Sequence, residues 1–118
     1  VDADGRLWVA TDGNKAGTSD RNDGVFAIET QGSQRGRSRL FYRGPVGSEI
    51  TGPVFSPDMK TLFVSVQHPG TAGARKLPGF ERRARVGDMP TSWPSNDPNA
   101  QARSAVIAIR RIGGGKVG

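Results

Sequence analysis

Four short apolar runs, each fenced by turn-forming residues, constrain this chain more than anything else in it. They are Leu7-Trp8-Val9-Ala10, Val25-Phe26-Ala27-Ile28, Leu62-Phe63-Val64-Ser65-Val66 and Ala105-Val106-Ile107-Ala108-Ile109. Each is rich in β-branched or aromatic residues and bounded by Gly, Asp, Asn or Pro, which is how strands read. Their apolar positions are nearly continuous instead of alternating, and this predicts burial on both faces. Two weaker strands complete the set, at 38–43 around Leu40-Phe41-Tyr42 and at 51–56 around Val54-Phe55. Helical patterning is scarce: only 79–87, hemmed in by Pro78, Gly79 and Gly87, has room for a turn or two.

The runs repeat. The turn and strand Asp2-Ala3-Asp4-Gly5-Arg6-Leu7-Trp8-Val9-Ala10 return as Ser56-Pro57-Asp58-Met59-Lys60-Thr61-Leu62-Phe63-Val64-Ser65, a step of 55 from Leu7 to Leu62, and Gly24–Ile28 returns at 104–109. A step near 50 with up to four strands per unit is the spacing of β-propeller blades, and face-to-face stacking of blades accounts for strands apolar on both sides. The predicted fold is therefore all-β: two incomplete antiparallel blades of a β-propeller. Residues 1–50 supply strands B, C and D (7–11, 24–29, 38–43) and the connection onward. Residues 51–112 supply A, B and C (51–56, 62–67, 104–111) with a long insertion over 68–103, and 113–118 are a Gly-rich tail. The insertion is expected to be poorly ordered without the rest of a propeller around it. In such a meander the loops 12–23 and 44–50 and the insertion open on one face, which is where an active site is expected. The other face receives tight turns and one Gly/Ser/Gln loop.

Composition agrees with a turn-rich β chain: 17 Gly and 8 Pro in 118 residues, distributed as punctuation and not gathered in a tail. No run approaches the roughly 18 apolar residues of a membrane helix, so no membrane insertion is expected. The absence of Cys removes disulfides and thiolate metal sites. The net charge of +6 raises the question of a nucleic-acid partner. The basic residues, however, are spread over a strand, a loop and the tail, with no basic helix and no aromatic-studded sheet, so a solvated basic surface is expected and no nucleic acid.

Three candidates for chemistry lie on the loop face. Asp12-Gly13-Asn14, followed by Asp20, Asn22 and Asp23, gathers oxygen donors of the kind Ca²⁺ takes, although Asp, Asn and Gly also simply make turns. Glu49, between Gly44-Pro45 and Gly52-Pro53, enters an inner strand where a carboxylate reaches the channel mouth; it reads equally as a surface residue of a linker. His68, the single histidine, closes a strand as Gln67-His68-Pro69-Gly70 and is either a ligand or general acid, or a structural hydrogen-bonding residue. The literal Gly113-x-Gly115-x-x-Gly118 pattern has no helix after it and so no phosphate-binding role. No Gly-x-Ser-x-Gly elbow is present, which removes serine-hydrolase chemistry.

Taken in order, Asp4 to Gly13, Glu49 to Asp58, Thr61 to Gly70 and Ser92-Trp93-Pro94 resemble the end of PhoX-type alkaline phosphatases across nearly the whole chain. The resemblance implies a carboxy-terminal piece of an exported, periplasmic or extracellular phosphomonoesterase with Ca²⁺ and Fe³⁺ at the mouth of a propeller channel. It implies that Glu49 is a metal ligand and suggests nearby roles for Asp12 and His68. Most of the cluster is expected in other blades, so this piece alone is expected to be inactive. Its expected partners are those remaining blades and a phosphomonoester substrate, and the uncovered edges of two partial blades predict self-association. Two other readings stay open: a calcium-dependent propeller lactonase and a non-catalytic binding propeller. Met59 departs from the pattern, which favours Gly in that turn, because a Met at positive φ is strained; a different turn is expected there.

Overall fold

The computed structural model describes residues 1–13, 21–71 and 89–118. Six strands follow one another: β1 (Leu7–Ala10), β2 (Gly24–Ile28), β3 (Ser38–Arg43), β4 (Glu49–Phe55), β5 (Thr61–Gln67) and β6 (Ala105–Arg110). They form two antiparallel three-stranded sheets, ordered β1-β2-β3 and β4-β5-β6. Every expected strand is present. Among the strand bounds the largest difference is at β4, which starts at Glu49 and not at 51, because Glu49 already pairs with Gln67 and Ile50 with Val66. The possible helical turn at 79–87 lies outside the described residues. Of the insertion, 89–103 contains turns such as Ser92–Ser95 and Asp97–Ala100, closed by Ser95 N donating to Ser92 O and Ala100 N to Asp97 O.

The two sheets bury one face of each against the other. Leu62, Val64 and Val66 on β5 are at most 1% exposed and meet Trp8, Val25 and Ile50. Burying each such aliphatic side chain is worth roughly 1.5–3 kcal/mol. Burial on both faces is not what this chain shows: the outward face of the second sheet leaves Val54, Phe63 and Val106 exposed. The physical reason is the number of layers, since among the described residues no third sheet lies over that face.

The turn before β5 keeps the geometry that Gly would prefer. Met59 N donates to Ser56 O at 2.9 Å, and Met59 takes φ 60. The Asp58 carboxylate accepts from Ser56 Oγ at 2.6 Å and from Lys60 N at 3.0 Å, locking the turn around it. The expected change of turn type therefore does not occur; Met59 absorbs the strain instead. A left-handed non-Gly residue costs about 1–2 kcal/mol, partly offset by the greater unfolded-state freedom of Gly. Met59→Gly is thus expected to stabilise the protein by about 1 kcal/mol, seen as a higher urea midpoint at unchanged slope.

The tail departs most from expectation. Gly113, Gly114 and Gly115 take φ of 82, 83 and 96 and reverse the chain, a path that only Gly follows without strain. Val117 then enters the cleft between the sheets, 6% exposed, with its amide donating to Met59 O at 2.9 Å. The Gly-rich pattern is a turn that returns an apolar side chain to the core.

Beside the end of that tail, Asp2 organises the first turn. Its Oδ1 accepts from the amides of Asp4 (3.0 Å) and Arg6 (2.9 Å), and its Oδ2 from Trp8 Nε1 (2.8 Å). Arg6 Nε lies 3.2 Å from Oδ2. The sequence shows only a turn here; the structure shows a buried carboxylate that positions the central Trp8.

Candidate functional site

Glu49 and His68 come together on the loop face, at paired strand ends. Glu49 opens β4 opposite Gln67, and His68 follows directly after β5. His68 Nε2 lies 3.3 Å from Glu49 Oε2, with both side chains partly open to solvent. His68 also holds φ 33 immediately before Pro69, a conformation that sterics disfavour for a non-Gly residue preceding proline. Its surroundings enforce it. His68 N donates to Ser104 Oγ at 2.9 Å, and Thr71 Oγ1 donates to His68 O at 2.7 Å while lying 2.9 Å from Nδ1. Local strain held by several contacts is common where a side chain must be aimed.

The connection carrying Glu49 is tied down from three sides. Gly44 N donates to Asp23 O (2.8 Å), Ile50 N to Thr11 O (3.3 Å), and Gly70 N to Val46 O (2.7 Å). Asn22 Nδ2 donates to Gly44 O at 3.1 Å. Gly44 has no room for a side chain: a Cβ there would stand 2.6 Å from Ile50 Cδ1 and from Ser48 Oγ. Ser48 is fully buried and donates its hydroxyl to Pro45 O at 2.8 Å. The Gly-Pro frame around Glu49 is thus a fixed support and not a loose linker.

The remaining sequence candidates are placed differently. Asp12 is exposed, just beyond Thr11 and hence beside the start of β4. Asp23 is buried and accepts from Thr11 Oγ1 (2.7 Å) and Gly13 N (2.8 Å), closing the base of its loop. Asp20 lies outside the described residues. Among the described residues, no three His, Cys, Asp or Glu side chains converge as a metal site would need. Thr71 and Ser104, which hold His68, were not picked out from the sequence; nothing in their spacing distinguishes them from ordinary loop residues.

Glu49 at the start of β4 and His68 just past the end of β5 thus stand side by side on the second sheet. The family described as Alkaline phosphatase PhoX matches residues 1–70, more than half of the 118 residues. The chain belongs to the PhoX alkaline phosphatase family. Among solved structures it is similar to that of Pseudomonas fluorescens PhoX in complex with vanadate, a transition state analogue. The identity is 36% and the TM-score 0.70, over 98% of this chain and 17% of that one. No curated protein matches the chain. The two sheets are accordingly two incomplete blades of a PhoX-type β-propeller, and the chain spans 17% of the length of the PhoX protein to which it is similar. No described helix is long and apolar enough to cross a membrane.

Proposed function

We propose that this chain forms one rim of the active site of a metal-dependent phosphomonoesterase acting in the periplasm or outside the cell. The observation that carries the proposal is the Glu49–His68 pair, fixed on the loop face of a chain in the PhoX family.

The donors suit a centre of Ca²⁺ and Fe³⁺ in kind but fall short in number. A carboxylate is a ligand for both ions, and the imidazole suits the transition metal; the convergence of three such groups is lacking among the described residues. Glu49 is the residue proposed to hold metal, with Asp12 a weaker candidate, and the other ligands come from the remaining blades. The chemistry such ions supply when bound is neutralisation of phosphate charge and activation of an oxygen nucleophile. The chain's own contribution is positional. The Gly44–Ser48 frame fixes the Glu49 backbone, and His68, itself held by Thr71 and Ser104, orients one carboxylate oxygen through Nε2. Orienting partners of this kind typically change metal affinity or activity 10- to 100-fold.

Chelation of the full-length protein is expected to abolish hydrolysis of 4-nitrophenyl phosphate, and Ca²⁺ with Fe³⁺ to restore it. Undiminished hydrolysis by protein verified as metal-free would sink the metal-dependent mechanism. Calcium-dependent lactone hydrolysis without phosphatase activity would replace it with the lactonase. The 118-residue chain by itself is expected to show no turnover, because two donors do not hold a metal cluster.

A further inference from the structure

The opposite face holds a cleft that the Glu49–His68 site does not use. It lies between the first sheet and the end of β6, with a volume of about 460 Å³, within the range of small-molecule sites. Trp8, Phe41 and Ile109 form its apolar wall, and Arg39, Arg111 and Lys116 stand around it. Trp8 and Phe41 meet edge-to-face at 4.7 Å, giving the wall a fixed aromatic corner.

Only part of the positive charge around this cleft is compensated. Arg6 is engaged by Asp2 and Asp4, and Arg110 donates Nε to Thr61 Oγ1. Arg39 has a loose partner, Glu29 at 3.8 Å, and its side chain stays more than half exposed. Arg111 and Lys116 have no carboxylate partner among the described residues. Of the acidic side chains nearby, Asp2 and Asp4 share Arg6 and Glu29 faces Arg39, while Gly118, the last of the 118 residues, also lines the cleft. Glu49 opens β4 while this cleft borders the far ends of the strands, a distance of roughly 20 Å at about 3.3 Å per residue.

We infer that this inter-blade cleft binds an organic phosphate, with its aromatic body against Trp8 and Phe41 and its phosphate held by Arg39, Arg111 and Lys116. Guanidinium and ammonium groups make charge-assisted hydrogen bonds with phosphate oxygens, and the aromatic wall takes a ring that inorganic phosphate lacks. The assignment stands on charge and shape at this cleft and does not depend on the phosphatase activity of the other face.

Phenylphosphonate, which carries no hydrolysable ester, is the probe, titrated into the full-length protein by calorimetry beside inorganic phosphate. Phenylphosphonate is expected to bind at least about tenfold tighter than phosphate at this site. The pair of changes Arg111→Ser and Lys116→Ser is expected to weaken it about tenfold or more without altering the thermal midpoint, and Glu49→Gln is expected to leave it unchanged. Phe41→Ala is expected to weaken phenylphosphonate and spare phosphate. Absence of binding, equal affinity for the two anions, or loss of binding in Glu49→Gln with retention in the Arg111/Lys116 variant would each overturn the inference. The last result would place the anion on the opposite face.

Discussion

Glu49→Gln in the full-length protein is expected to lower kcat/KM for phosphomonoesters about 100-fold or more, equivalent to about 2.7 kcal/mol of lost transition-state stabilisation. The amide keeps the shape of the side chain and its place opposite Gln67, so folding is expected to survive. What changes is the charge: a neutral amide oxygen is a poorer ligand than a carboxylate for a hard cation. Metal content measured on the purified variant should therefore fall together with activity. His68→Ala should cost less, about tenfold, since its proposed role is to orient the Glu49 carboxylate across 3.3 Å. Full activity and full metal content in Glu49→Gln would remove that residue from the site while leaving family membership intact.

The largest effect on stability is expected on the other face, at Asp2. Asp2→Ala strands the Trp8 indole N–H and the amides of Asp4 and Arg6, and leaves Arg6 without one of its two carboxylates. Hydrogen bonds to a charged acceptor are worth about 1.5–3 kcal/mol, and stranded buried donors add to the cost, so a loss of roughly 3 kcal/mol is expected in urea unfolding. Burial alone would raise the Asp2 carboxyl. The hydrogen bonds from Trp8 and Arg6, the Arg6 charge and the Asp4 amide outweigh it and hold the group below its ordinary value. A carboxyl lowered on folding contributes stability that is complete above the unfolded value of about 3.9 and is lost as pH falls through the lower folded value. Wild type should therefore lose stability below about pH 4 more steeply than Asp2→Asn. Parallel acid profiles for the two would exclude a native-state role for the Asp2 charge.

The strands were legible in the sequence because their signal is local. Val25-Phe26-Ala27-Ile28 and Leu62 to Val66 carry β-branched and aromatic residues between turn formers, and those preferences suffice to place them. Which faces are covered depends on neighbours: Leu62 and Phe63 look alike in sequence, yet the first is fully buried and the second lies on the uncovered side. Glu49 and His68 could be placed on one face by counting strands, and the structure brings them within 3.3 Å; the role proposed for them rests on resemblance to PhoX proteins, not on the residues alone. The paths that escaped prediction depend on backbone partners far away. Nothing about Lys116-Val117-Gly118 announces a core residue, because the position of Val117 is set by Met59 O and by the gap beside Trp8. Similarly, an Asp-Gly turn motif at 2–5 does not disclose that its first carboxylate is buried against an indole.

The returning segment that brings Val117 beside Trp8 also bears on the order in which the molecule assembles. Within each sheet, neighbouring strands can zip up through connections between adjacent elements, whereas residues 8 and 117 close nearly the whole length of the chain. Closure entropy grows only logarithmically with span, yet long-range closure has to wait for the surfaces that reward it. The 113–118 segment is thus expected to close late, and its release to precede separation of the two sheets.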